Sequence, residues 1–394
     1  MKLTRIALAT LAAALATLAA PAQDHVNAPQ SRTLQRHEMI LPRQVAGYNL
    51  YKADLHTHTI YSDGQVTPQY RVREAWSDGL DIVAIADHIE YRSNEQAMLD
   101  HLRGYVSDSS RKAENSSIIN RLADERGIRV DLNVSTRLAQ SAAKEWGITV
   151  VPATEITREP VALGHYNALF TTDNNAIYHP DPMQALRNAR EQGAFIMHNH
   201  PGWRRKSVAM TDFEKQAYAQ GLIDGVEVAN GRTYYPPIIS RCIDLGLAMM
   251  ASTDVHLTTH DDYDEVVASA SYRNMTLILA RDRSLEALRE ALDAGRTIAF
   301  NGNNFFSREE LLAELCLGCL EAHATGTDSK GQTTLNLLNK TSVPFTVKFG
   351  SATLRLEPFC SVKLTAREPE QIALQVLNMW CYQDRHPSVS IPIH

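Results

Sequence analysis

Five short segments of this 394-residue chain carry residue types that could bind metal ions and do hydrolytic chemistry. The densest is Ala53-Asp54-Leu55-His56-Thr57-His58, which continues to Asp63 and Gly64. On a strand, side chains two apart point to one side, so His56 and His58 can hold one ion together; on a helix they would not face each other. The other segments are Asp87-His88, Thr154-Glu155, His198-Asn199-His200-Pro201 and Asp254-Val255-His256. Each places its imidazole or carboxylate just after a short apolar run of strand character, where an α/β barrel keeps its chemistry. Nine of the fifteen histidines fall between His56 and His256. One histidine at a strand end reads as hydrogen-bonded core, but several at successive strand ends are costly to bury unless they share a partner. Imidazole and carboxylate ligands suit zinc, manganese or iron, and the absence of cysteine from these segments argues against a thiolate site.

Short apolar runs alternating with helices must position these groups. Thr67-Pro68 caps a helix that Gly79 ends, and residues 81–86 form a buried strand too short for a helix. Strand character returns at 148–151, 166–170, 194–197, 225–229, 247–251 and 275–279, and Asp181-Pro182 opens a helix that Gly193 closes. This alternation implies an α/β fold with a mainly parallel sheet, and about seven repeats of the unit favour a closed barrel over residues 48–305. Residues 92–147 are polar, long for a crossover, and read as a helical insertion able to cover the mouth of the site. Ser307-Arg308-Glu309-Glu310 reads as a capping box before an apolar helical stripe that takes in Cys316 and Cys319. Beyond Gly326, short alternating runs are parted by turn residues. Residues 306–394 therefore read as a helix plus a small antiparallel, β-sandwich-like C-terminal domain.

Residues 1–22 have a positive start, an Ala- and Leu-rich centre and Ala20-Pro21-Ala22, the pattern of a signal peptide cleaved before Gln23. The apolar segment is short for a membrane span. The expectation is a periplasmic or secreted protein with no stable membrane insertion after cleavage, entered through a polar lead-in over 23–47. Export permits disulfides, although an odd total of five cysteines leaves at least one thiol unpaired in a monomer. Cys316 and Cys319 have Cys-x-x-Cys spacing, but the helical pattern around them makes them core residues. A formal charge of −6 argues against a nucleic-acid partner. The oligomeric state is left open.

In their order along the chain, Asp54-Leu55-His56-Thr57-His58 with Asp63, Asp87-His88, Glu155, His200-Pro201 and Asp254-x-His256 resemble the motifs of the PHP family, named for polymerase and histidinol phosphatase. The resemblance covers residues 50–300. It implies a distorted (β/α)7 barrel holding two or three divalent metal ions. It also implies a first ion on His56, His58, Glu155 and Asp254, a second on Glu155, His165 and His200, and a third on Asp63, His88 and His256. Glu155 and Asp254 become catalytic candidates together with His198, while His198, Asp54 and Asp87 would orient ligand imidazoles. The exported format, the insertion and the β tail look most like the family's secreted Sb-PDE-type phosphodiesterases, which act on organophosphate diesters.

Paired cations can lower the pKa of a shared water to about 7 and neutralise charge on phosphoryl oxygens. The expected reaction is therefore hydrolysis of a small-molecule phosphate diester by in-line attack of metal-activated hydroxide. Trp203-Arg204-Arg205-Lys206 follows His200-Pro201-Gly202 and is placed to pair with phosphate, or else is a solvated turn. Arg158 and Arg232 are further phosphate candidates, and Tyr61 and Tyr234 could line the ester group or simply pack. Competing readings are a phosphomonoesterase on the same scaffold, a metal-dependent amide hydrolase, and a non-catalytic metal-binding surface protein. A purely structural site would use a closed ligand set, which speaks against the last of these.

Overall fold

The short apolar runs become strands of one curled sheet. The computed structural model describes residues 35–95, 131–262, 272–367 and 370–394; the signal-peptide segment 1–22 and the first part of the lead-in lie outside them. The longer strands are β1 (Tyr48–Thr57), β2 (Ile82–Ile85), β3 (Thr149–Thr157), β4 (His165–Leu169), β5 (Phe195–His198), β6 (Gly225–Asn230), β7 (Ala248–Ser252), β8 (Met275–Ala280), β9 (Thr297–Asn301) and β10 (Asn304–Phe306), and the two-residue strands Gln44–Val45 and Thr233–Tyr234 pair with β1 and β6. Across the sheet they run β10-β9-β8-β1-β2-β3-β4-β5-β6, with β7 paired to β6.

Strands β1 to β3 are mutually parallel, as are β5 to β7. Strand β4, however, runs against both β3 and β5, and β8 runs against β1. The expected mainly parallel sheet is thus a mixed one. The cause at β4 is chain length: the link 158–164 is shorter than the dozen or so residues that a parallel crossover needs. Because of this reversal β4 begins where its parallel neighbours end, and its first residue, His165, pairs in register with Thr157, two residues beyond Glu155.

Inside the curl pack Leu55, Ala84, Ala153, Phe195, Met197 and Met250. Outside β2, helices α1 (Pro68–Ser77) and α2 (Val134–Trp146) set Val72, Ala75, Ala139 and Ala143 against Val83 and Ile85. Helix α1 starts as its sequence predicts, with the Thr67 side chain accepting from the Tyr70 amide and Pro68 in the first turn. Helix α2 is the described helical part of the segment 92–147 and leads directly into β3. The middle of that segment, 96–130, lies outside the described residues, and with it the suggested cover over the mouth. Helices α3 (Pro182–Glu191), α4 (Asp212–Ala219), α5 (Pro236–Leu245) and α6 (Leu285–Asp293) follow between and after the later strands of the curled sheet.

Helix α7 (Glu309–Cys319) opens without the expected capping box: its N-cap is Arg308, with no side-chain cap bond. Ser307 instead donates to the Thr297 carbonyl at 2.6 Å. All five cysteines are free thiols; Cys316 and Cys319 are buried in the core, and burial pushes the Cys316 thiol up to about 12. The C-terminal strands form two antiparallel sheets. One joins β11 (Leu320–Thr327), β12 (Gln332–Asn339) and β15 (Ser361–Arg367). The other joins β13 (Phe345–Phe349), β14 (Ala352–Leu356), β16 (Gln371–Val376) and β18 (Ser388–Pro392). The short strand β17 (Met379–Trp380) leaves them to pair in parallel with β10 of the barrel sheet.

Candidate metal centre

Local irregularities aim the chemistry-bearing side chains. The pairing of β1 with β2 shifts register between Asp54 and Thr57, a bulge that turns the strand end. Leu55 stays in the interior core, while His56 and His58 both point toward Glu155 and Asp254. At the end of β5, Phe195 and Met197 face inward whereas His198 faces outward to α4. The chain then turns at His200, with φ +25°, and Asp254 sits at φ +57°. Left-handed backbone at non-glycine residues costs about 1–3 kcal/mol and collects at functional sites. Here it sets His200 and Asp254 within 3.7 Å of each other.

Glu155 is the hub, fully buried. Its Oε1 lies 3.3 Å from His165 Nδ1, 3.7 Å from His200 Nε2 and 3.0 Å from the Asn199 amide that donates to it. Its Oε2 lies 2.8 Å from His88 Nδ1, 3.4 Å from His56 Nε2 and 3.5 Å from His58 Nε2. Asp254 Oδ1 reaches His58 Nε2 at 2.9 Å and His56 Nε2 at 3.2 Å. Asp63 lies 3.4 Å from His88 and 3.3 Å from His256. Ligand-type atoms gather into three groups, each within 4.8 Å: His58, Asp63, His88 and His256; His56, His58 and Asp254; His56, Glu155 and His200.

The donor set fits cations better than hydrogen bonds. His56 Nδ1 meets the Glu227 carboxylate at 3.0 Å and so carries the proton, which leaves the Nε2 lone pair facing Glu155 and Asp254. His256 Nδ1 likewise donates to the Asp254 carbonyl at 2.7 Å, leaving Nε2 to face Asp63. His56 Nε2, His58 Nδ1, Asp63 Oδ1 and Glu155 Oε2 are buried with no hydrogen-bond partner. Acceptors converging on acceptors call for a proton or a metal ion between them.

Electrostatics point the same way. Burial would raise Glu155 and Asp254, yet the surrounding imidazoles hold both below the usual carboxylate range. Burial, with His256 and His88 nearby, pushes His58 down to about 4. Burial also works against a charged His88, but Glu155 and Asp63 carry it up to about 10.

These groups form the floor of an open cavity of about 630 Å³, walled by Glu90, Tyr91, Arg158, Glu159, Trp203 and Arg204. Of the nine expected metal-type residues, Asp63, His88, Glu155, His165, His200, Asp254 and His256 line it, and His56 and His58 lie fully buried against Glu155 and Asp254. His165 touches Glu155 but joins none of the three groups. Several other expectations are corrected. His198 is no partner of the imidazoles: it lies on the outer face with Tyr218 at 2.9 Å and Glu214 at 3.4 Å, because the strand ends before His200. Asp54 bonds to Arg273 and Thr253, and Asp87 to Thr59 and Ser62, so neither orients an imidazole.

Of the basic residues, Arg158 is held by Glu90 at 2.9 Å and by the His179 carbonyl, and Arg205 pairs with buried Glu214. Arg232 and Lys206 are exposed and do not line the cavity, and Tyr234 stacks on Phe306 away from it. Tyr61 is also outside the lining. The residues that actually orient the centre were not foreseen. Glu227 holds His56 and accepts from the His200 amide at 2.7 Å. Buried Arg71 donates to the carbonyls of His58 (3.0 Å) and Leu257 (2.8 Å), tying the two ends of the centre together.

Among solved structures, a two-domain protein from Bacteroides vulgatus, described as containing a predicted PHP-like metal-dependent phosphoesterase, is similar to this chain. It is 30% identical over 91% of this chain and 99% of its own, with a TM-score of 0.77. The lesion-specific endonuclease PfuEndoQ from Pyrococcus furiosus is 15% identical over 62% of this chain and 56% of its own, with a TM-score of 0.38, a likeness too loose to bear on the site. No family model and no curated protein matches the chain.

Proposed function

The chain belongs to the PHP-like metal-dependent phosphoesterases, and from that premise we propose that it hydrolyses small-molecule phosphate diesters. The observation that carries the reading is the convergence of hydrogen-bond-free imidazole and carboxylate atoms around Glu155 on the floor of an open cavity. Divalent ions held there, whether zinc, manganese or iron, would supply Lewis acidity toward the phosphoryl oxygens and a water acidified to about pKa 7. The candidate ligands are His56, His58 and Asp254; Glu155, His200 and His165; and Asp63, His88 and His256.

The rest is the work of the chain itself. Glu227 keeps the His56 proton on Nδ1, and Asn199 fixes the Glu155 carboxylate. Arg71 holds the His58 end of β1 against the 255–257 turn. Charge favours a diester over a monoester. A monoester near neutral pH carries close to two negative charges, and of the arginines that line the cavity Arg158 is engaged by Glu90 and the His179 carbonyl while Arg204 pairs with no carboxylate of the floor.

Parallel rate measurements on a chromogenic aryl diester and the matching monoester, with zinc, manganese or iron supplied, test the reading. The diester is expected to be the better substrate, and a strong monoester preference would overturn it. His58→Ala or Asp254→Asn should lower turnover by more than the roughly 10–100-fold seen for groups that only support ligands, with the fold intact by circular dichroism.

A small ester rather than a nucleic acid is the proposed substrate on the formal charge of −6. Export, in the manner of the family's secreted phosphodiesterases, is also part of the proposal. Expressed in full in a bacterial host, the mature protein should be found in the periplasmic fraction and begin at Gln23 by N-terminal sequencing; an uncleaved Met1 terminus confined to the cytoplasmic fraction would remove that element.

A further inference from the structure

The wall of the cavity holds one arginine that the floor does not use. Arg204 stacks its guanidinium over the Trp203 ring, 4.3 Å from the centroid. Among the described residues its only carboxylate neighbour is Glu159, at 4.0 Å and itself exposed. Arg158 and Arg205, by contrast, are closely paired with Glu90 and Glu214. Arg204 also occupies the left-handed region, φ +53°, a conformation that a non-glycine residue holds at a cost and that gathers at ligand-binding positions. Trp203, 37% exposed, leans on His165 and His200, with ring centroids 5.1 and 5.5 Å away. The indole thus rests on the metal-type imidazoles and carries the guanidinium on its ring. No carboxylate of the floor lies within ion-pair distance of Arg204.

We propose that Trp203 and Arg204 form a specificity subsite for a second anionic group, so that the preferred substrates are phosphate esters carrying a carboxylate or further phosphate away from the bond that breaks. This rests on the phosphoesterase reading above and names the substrate class within it. Arg204 acts as the anion contact. Trp203 holds its plane, which Arg geometry and ring stacking both favour.

The test compares p-nitrophenyl phenyl phosphate with its 4-carboxyphenyl analogue, which share a leaving group and differ in one charge. Wild type is expected to show a higher kcat/KM on the carboxylated ester, by about three- to fivefold for a partly exposed ion pair. Raising the ionic strength to 0.5 M should shrink that ratio as screening shortens to about 4 Å. Arg204→Gln should bring the ratio toward one, Trp203→Ala should do the same, and Trp203→Phe should restore most of it. Equal rates on both esters in wild type, or a variant that loses both equally with the ratio kept, would overturn the subsite while leaving the phosphoesterase reading intact. No hydrolysis of either ester with any of the three metals would overturn that reading and this one with it.

Discussion

A buried carboxylate that touches no substrate can still decide how tightly a metal centre holds its ions, and Glu227 is placed to do so. It is itself fully buried and accepts from His56 Nδ1, from the His200 amide and from Asn230. In Glu227→Gln one side-chain oxygen remains for the His200 amide, but the new amide N–H meets His56 Nδ1 and forces the imidazole proton to Nε2, where a ligand lone pair is needed. Metal affinity should fall by about 10–100-fold, measured by titration against a metal buffer. Turnover should recover at high metal concentration, and unchanged affinity would remove Glu227 from the orienting role. The acid was in view as Gly225-Val226-Glu227-Val228-Ala229, and a charge in a buried apolar run is costly enough to be a signal. With no histidine beside it, the sequence pattern around it is that of a strand and not of a metal motif. The nine metal-type residues were legible because so many imidazoles and acids following strand-like runs are too costly to bury without a shared cation. The roles of His198 and Asp54 were not, since which face each occupies depends on where β5 stops and where β1 bulges.

Strand order and direction come from partners that the local pattern does not contain, and this separates what could be read at the level of elements from what could not. The Thr67-Pro68 and Asp181-Pro182 helix starts are local and are found in place. The antiparallel course of β4 is not visible in its own residues. It follows from a short link, and it brings His165 to the site by the strand's beginning instead of its end. The loop between β1 and α1 shows the same dependence. Gly64 donates to the Thr59 carbonyl and lies so close to β1 that a Cβ there would stand 2.7 Å from the His58 carbonyl carbon and the Thr59 nitrogen. Backbone cannot rotate away as a side chain can, so Gly64→Ala must move the end of β1 that carries His58. The variant should lose about 1–3 kcal/mol in urea unfolding, the usual scale of an overpacked site. It should also bind less metal than wild type by elemental analysis. A full metal complement in this variant would show that the Asp63 loop yields instead of the ligand strand.

On the scale of the whole molecule, two features govern how the protein should unfold. The first is a shared core: Leu315, Cys316, Leu335, Phe345 and Val376 of the C-terminal part belong to one apolar cluster with Val83, Leu277 and Phe300 of the barrel sheet. Neither part can expose its face without uncovering the other, and β17 extends the barrel sheet itself. The second is the charge at the centre. Asp63, Glu155, Glu227 and Asp254 are drawn together with few hydrogen-bond donors, so cations that bind only the folded chain stabilise it by mass action. At a hundredfold excess over Kd each site contributes about 2.7 kcal/mol. Two sites, in a chain of this size, should raise Tm by about 10 °C at roughly 2 °C per kcal/mol. Scanning calorimetry of the full chain with and without a chelator is the measurement. The expected result is one transition that moves down as a whole when metal is withdrawn. A second transition that stays where it was would mean that the C-terminal sheets unfold apart from the barrel, and an unmoved single transition would mean that the buried acids are satisfied without cations.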